Sequence, residues 1–230
     1  MTQTAVNAAF ILDAGALEEE TLFLRALSLC PETRQNKALS YKNTKDRRLS
    51  VAAWLCLRRA LAPRGIDAGR VRIGYAPGGK PYLAEHPQIR FNLSHSGSMA
   101  FCIVSGYEAG CDIETEGKID LKLAARCFHP DEVRVLKSSP DLLTRVWTRK
   151  ESVIKCSGEG LARPLGSFSV FSEGRLLPAV TLGNKNYSLY ELAVPGNYRA
   201  ACCLKTPFGV RPSVSCEEIA IEDALTEKLT

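Results

Sequence analysis

Apolar positions in this chain switch repeatedly between a helical period and strict alternation, and the switches divide it into elements. Phe10 to Asp13 predicts a short strand and Leu17 to Leu29 an amphipathic helix. A second helical stretch opens at Pro31-Glu32 and runs through Ser40. From Asp46 to Ala60 the spacing predicts a long helix. Leu49, Ala52, Ala53, Leu55 and Cys56 form its apolar face, flanked by Arg47, Arg48, Arg58 and Arg59. Pro63 and Gly65 end it. Val71 to Tyr75 alternates, Pro77-Gly78-Gly79 reads as a turn, and Lys80-Pro81-Tyr82-Leu83 as the returning strand. Ile89 to Leu93 and Met99 to Ser105 predict two strands around a loop at Ser94-His95-Ser96-Gly97-Ser98.

The second part of the chain runs through the same order. Gly110 to Glu114 predicts a strand, followed by helices at Leu121 to Cys127, Asp131 to Lys137 and, longest, Leu142 to Cys156. Ser167 to Phe171, a turn at Glu173-Gly174, Arg175 to Leu177, Tyr187 to Leu192 and Tyr198 to Lys205 then read as strands and turns. The recurrence predicts an α+β fold of two similar halves related by a pseudo-two-fold, each a small antiparallel sheet packed on a long helix. Residues 1–107 would form the first half and 108–230 the second, with a crossover near Glu108-Ala109-Gly110. The acidic segment Glu217-Glu218 to Glu222-Asp223 is expected to be a terminal helix or tail.

Composition narrows the class without naming a function. At 230 residues, 45% hydrophobic and 24% charged, the chain can bury a sizeable core and is not disordered. Its net charge of +5 suits an anionic ligand or acidic partner, and a solvated basic surface equally well. Nine cysteines show no metal-ligand spacing; several lie in apolar runs such as Ala100-Phe101-Cys102-Ile103-Val104, where they behave as small hydrophobes. Their odd, dispersed count points to the reducing cytoplasm. No secretory signal pattern and no apolar run near 20 residues appears, so a soluble cytoplasmic protein is expected.

Candidate chemistry sits in two segments. On a strand, Asp112 and Glu114 emerge on one side. On a helix, Glu151 and Lys155 are one turn apart and point the same way. Such acids with an adjacent lysine suit a hard divalent cation and a phosphate. Each signal has a plainer reading: a solvated acidic edge strand that Glu116 continues, a surface Glu–Lys pair, a packing histidine at His95, an exposed lysine in Gly79-Lys80-Pro81.

The order of the segments is more specific than any one of them. A basic helix, Gly-Lys-Pro, Phe91-Asn92-Leu93-Ser94-His95-Ser96, Gly-x-Asp-Ile-Glu, Phe128-x-x-x-Glu132 and Trp-x-x-Lys-Glu-Ser-x-x-Lys follow one another. From about Pro31 to Tyr198 the chain resembles the 4′-phosphopantetheinyl transferase superfamily, in its surfactin-type, single-chain pseudo-dimeric branch. The resemblance implies a holo-[acyl-carrier-protein] synthase activity, with coenzyme A as substrate and magnesium, or manganese in its place, as the metal. It implies Asp112, Glu114 and Glu151 as metal ligands. Lys155 and Lys150 would face the phosphates, as would Ser94 and His95, with Lys80-Pro81 beside them. Arg48 would recognise the 3′-phosphate. Glu151 is the preferred base for the attacking serine, with Glu132 or a metal-bound water as rival.

The partner implied is an apo acyl or peptidyl carrier protein, its acidic helix meeting residues 158–168 through Leu161, Leu165 and Arg163. Membrane and nucleic-acid partners are not expected, the latter for want of an aromatic-interleaved basic patch, and a duplicated chain suggests a monomer. Two departures from the family pattern stand out. Ala52 takes the place of a glycine one turn after the arginine, and Arg34 and Lys37 are the only further candidates for the 3′-phosphate. A non-catalytic coenzyme A-binding module would not need all three acids and Lys155. A different metal-dependent phosphotransferase or nuclease leaves Ser94-His95 and Gly79-Lys80-Pro81 unexplained.

Overall fold

Alternation along two central strands decides the architecture. A computed structural model of the protein describes residues 7–226. Its first strand, β1 (Ala8–Asp13), sends Ala8, Phe10 and Leu12 into one core and Ala9 and Ile11 into another. After a 3-10 turn at Gly15–Glu18 come α1 (Glu20–Ser28), α2 (Glu32–Ser40) and α3 (Thr44–Leu61). The side chain of Asn43 caps α3 by accepting from the backbone N–H of Lys45. A short hairpin of β2 (Ile73–Tyr75) and β3 (Pro81–Leu83) precedes β4 (Arg90–Ser96) and β5 (Met99–Ser105).

The same series recurs as β6 (Ala109–Thr115), α4 (Leu121–Cys127), α5 (Pro130–Ser138) and α6 (Leu143–Ser157). The hairpin of β7 (Phe171–Ser172) and β8 (Arg175–Leu176) follows, then β9 (Ala179–Leu182), β10 (Lys185–Leu192) and β11 (Tyr198–Thr206). Last come β12 (Ser215–Glu218) and α7 (Ile221–Ala224). One sheet runs β12-β1-β5-β4 and the other β6-β11-β10-β9. With β12 set aside, the order in each is first strand, last strand, penultimate strand: β1-β5-β4 and β6-β11-β10.

The two sheets meet through their inner faces. Ala9, Ile11, Met99, Phe101 and Ile103 of one pack on Cys111, Ile113, Ala200, Cys202 and Leu204 of the other. Phe101 and Ile103 are fully buried there, each worth about 1.5–3 kcal/mol of apolar burial. The outer faces carry the long helices: α3 on β1 and β5, α6 on β6 and β11. Cys30, Cys56, Cys102, Cys111, Cys156, Cys202 and Cys203 are buried in these layers as unpaired thiols, and burial pushes those of Cys30 and Cys111 up to about 12.

The α+β class and the long helices agree with the sequence reading. Five details differ. Ser94-His95-Ser96 is strand rather than loop, because its serines are satisfied by the neighbouring sheet. Glu217-Glu218 lies in β12, which pairs parallel with β1, so the first sheet is not purely antiparallel. Residues 167–171 are mostly irregular, and β9 was not anticipated. Arg58, expected only to flank the apolar face, is itself buried, donating to the carbonyls of Ala224 and Thr226 as the chain returns over α3.

Candidate active site

A missing side chain brings the chemistry together. Gly110 lies on the face of β6 that α6 covers, and a Cβ there would sit 2.1 Å from the carbonyl oxygen of Ser152 and 2.3 Å from the nitrogen of Cys156. Strand and helix backbones therefore touch. The next two residues on that face are Asp112 and Glu114, and the facing turns of α6 supply Glu151 and Lys155. The ammonium of Lys155 donates to Asp112 Oδ1 at 2.6 Å and to Ser94 Oγ at 3.0 Å, while Ser94 Oγ donates to the same Oδ1 at 2.8 Å.

Across the gap between the sheets, alternate residues of β4 hold successive groups of β6. Asn92 Oδ1 accepts from the Cys111 N–H at 2.9 Å, Ser94 meets Asp112, and the Ser96 hydroxyl donates to Glu114. Glu114 also receives two bonds from Lys118 Nζ, each 3.0 Å. Asp112 is only 6% exposed and Glu114 9%, which removes the reading of a solvated acidic edge. Asn92, Ser96 and Lys118 escaped the sequence analysis. The available signal was the i, i+2, i+4 polarity of Asn92, Ser94 and Ser96 in β4, whose end from Ser94 on reads as a loop.

Glu151 is half-buried, and among the described residues its carboxylate has no hydrogen-bond or ion-pair partner. Burial raises its proton affinity and the nearby Asp112 carboxylate raises it further, with Lys155 opposing. Burial alone would depress Lys155, but Asp112, Cys111 and Glu151 outweigh it and hold the ammonium above the usual lysine value. The exposed ring of His95 is held below the usual histidine value, by crowding against the protein and by the cations of Lys155 and Arg34.

Glu151 and Lys155 stand in a cleft of about 660 Å³ between the halves. The first half contributes the Gly78–Pro81 turn with Asn92 and Leu93; the second contributes Arg126 to Phe128, the end of α6, and residues 163–166. Much of the wall is apolar: Leu93, Phe128, Ile154, Pro164 and Leu165. The side chain of Leu161 lies outside the described residues.

Other expected site residues have partners of their own or lie outside the cleft wall. Lys80 lines the cleft, but its ammonium is already bound by Glu108 Oε2 (3.2 Å) and by the carbonyls of Ala109 (2.8 Å) and Cys156 (3.1 Å). It joins the halves and caps the last turn of α6, where a cation is favoured. Glu132 and Lys150 are wholly buried against each other, 2.6 Å apart, and neither is part of the cleft wall. Helical rotation explains this, since Lys150 is one residue and about 100° away from Glu151. Arg48 pairs with Glu18 at 3.0 Å on the outside of α3. Arg34 donates twice to the Ser50 carbonyl and lies over Trp54, and Lys37 is exposed nearby.

No cluster of three or more His, Cys, Asp or Glu side chains among the described residues forms a ready metal cage. The donors nevertheless fit a hard cation. Asp112 and Glu151 lie close enough for one carboxylate to disfavour ionisation of the other. Magnesium needs only one or two carboxylates where phosphates and waters complete its octahedron.

Comparison with known proteins defines a class first. Residues 108–203 match the family model for the 4′-phosphopantetheinyl transferase superfamily, and residues 18–107 match the model described as 4′-phosphopantetheinyl transferase, N-terminal. A 4′-phosphopantetheinyl transferase of Bacillus subtilis is 30% identical over 204 residues, covering 85% of this chain and 88% of its own. The 4′-phosphopantetheinyl transferase Sfp of Bacillus subtilis strain 168 is 28% identical over 198 residues, 83% and 87% of the two chains. The 4′-phosphopantetheinyl transferase gsp of Aneurinibacillus migulanus is 30% identical over 178 residues, 74% of each. The chain belongs to the 4′-phosphopantetheinyl transferase superfamily, in its surfactin-type branch, and is an enzyme of that activity.

Proposed function

We propose that the protein moves the 4′-phosphopantetheine group of coenzyme A onto a serine of an apo acyl or peptidyl carrier protein, with magnesium bound. The observation that carries this reading is that Glu151 and Lys155 line one mostly apolar cleft, with Lys155 bound to Asp112 and Ser94 behind its wall. The polar end suits a pyrophosphate and the apolar wall suits the pantetheine arm. Asp112, Glu114 and Glu151 would hold the metal, whose chemistry is to offset phosphate charge as it shifts toward the leaving group.

The chain's own residues supply the rest. The carrier serine oxygen forms a bond to the β-phosphorus as the bond from that phosphorus to the bridging oxygen breaks, releasing adenosine 3′,5′-bisphosphate. The serine proton passes to the Glu151 carboxylate, the acid of the cleft wall. The ammonium of Lys155 leaves Asp112 for the departing phosphate. A neutral His95 ring and Ser94 donate to phosphate oxygens. The Gly79-Lys80-Pro81 hairpin forms the adjoining wall, its lysine serving through the wall's rigidity. Arg48, with an exposed and therefore weak partner, exchanges Glu18 for the 3′-phosphate. The acidic helix of the carrier docks beside residues 158–168, where Arg163 and Leu165 border the cleft. The protein acts in the cytoplasm as a monomer, its halves related by a two-fold that places the cleft between them.

Incubation with coenzyme A, magnesium and a panel of apo-carrier proteins tests this by mass spectrometry. A carrier gaining the phosphopantetheine mass, abolished by chelator and restored by magnesium, is expected. No gain on any carrier overturns the reading.

A further inference from the structure

The Glu132–Lys150 pair has no part in that chemistry, and its cost needs a reason. Two charges taken wholly out of water are seldom worth more than a well-packed apolar pair. What distinguishes this one is the backbone it holds. Glu132 Oε1 accepts from the Val170 N–H at 2.7 Å and Oε2 from the His129 N–H at 3.1 Å. Lys150 donates to the Phe168 carbonyl, and its ammonium lies 4.4 Å from the ring centre of Phe168 and 5.6 Å from that of Phe128. Three backbone groups and two rings from separate segments are thus pinned to one buried point.

Those segments carry the far wall of the cleft. Phe128 lines it directly, and Leu165 and Gly166 precede the pinned Phe168 by two or three residues. Gly166 abuts the end of α4: a Cβ there would lie 3.3 Å from the Cys127 carbonyl oxygen. The loop before Phe168 has little regular structure of its own, only two single 3-10 turns at Gly160–Ala162 and Leu165–Ser167. Among the described residues no backbone–backbone hydrogen bond ties this loop to the segment of Phe128. We infer that Glu132 and Lys150 are positioning residues: a buried clamp that sets the width of the apolar wall and thereby the grip on the uncharged arm of the donor. This rests on the donor being coenzyme A, as proposed above.

The test compares Glu132→Gln, Lys150→Met and the double variant Glu132→Gln/Lys150→Met, assayed below their measured unfolding temperatures. The clamp predicts that each single change raises KM for coenzyme A by about tenfold or more while kcat stays within about threefold. KM for the carrier and the shape of the kcat–pH profile are expected to hold. The double variant leaves no lone buried charge, and the introduced amide oxygen still accepts from the Val170 N–H, but the bond to the Phe168 carbonyl is gone, so its fold recovers while its KM for coenzyme A stays raised. Equilibrium binding of coenzyme A by calorimetry should follow the same order. If a single variant fails to fold, the double variant alone decides by its KM. A fall in kcat at unchanged KM, or a displaced pH profile, would put Glu132 in the chemistry and overturn the clamp. Wild-type protein that transfers nothing would instead overturn the proposed function.

Discussion

The two halves place the same elements in the same order and use them differently. In β1 the residues facing the long helix are Ala8, Phe10 and Leu12; in β6 they are Gly110, Asp112 and Glu114. Helix α3 answers with a nearly continuous buried surface, closed on its outer side by α1, α2 and α7. Helix α6 answers with Glu151 and Lys155. One scaffold position holds a core in the first half and a site in the second. The change hinges on Gly110, which lets the helix come close enough for a lysine and a strand acid to meet at 2.6 Å.

The sharpest way to break the contrast is Gly110→Val. The new side chain must displace backbone, so a loss of about 3 kcal/mol in stability and at least a hundredfold in transfer rate is expected, read by urea unfolding and carrier mass. The mirror change in β1, Ala8→Gly, should cost only about 1 kcal/mol and spare activity. Next is Glu151→Gln, expected to lower transfer by roughly 10²–10⁴. Because the fold resists the Glu151 charge, its melting temperature should hold or rise. A fall would mean that the carboxylate is structurally paired.

Lys80→Met should then lower stability by about 1–3 kcal/mol through the acceptors it strands, with KM for coenzyme A little changed. The reverse pattern would make Lys80 a phosphate ligand. Arg48→Ala is the mildest. Loss of an exposed pair costs under about 1 kcal/mol, whereas KM should rise for coenzyme A and not for its 3′-dephospho form. Equal effects on both would remove Arg48 from the nucleotide.

Much of this contrast was legible in the sequence, and the failures have physical causes. Periodicity found α3 and α6 because their buried faces are long. It read the acids of β6 correctly as co-facial, since alternation in a strand is obligatory. It could not tell Lys150 from Lys155, because both lie in one basic stretch and only the helical angle separates a buried clamp from a cleft cation. It lost the end of β4 because serines and a histidine look like a loop until a second sheet supplies acceptors. It lost β12 because Glu217 and Glu218 carry no apolar signal and owe their conformation to pairing with β1.

That last pairing bears on how the molecule is made. β1 leaves the ribosome about 200 residues before the strand that covers its outer edge, and Arg25 and Arg58 then grip the carbonyls that follow that strand. During synthesis the first sheet waits with one edge bare, a template for unwanted pairing. The first sheet therefore cannot be completed until β12 has emerged, after the whole of the second sheet.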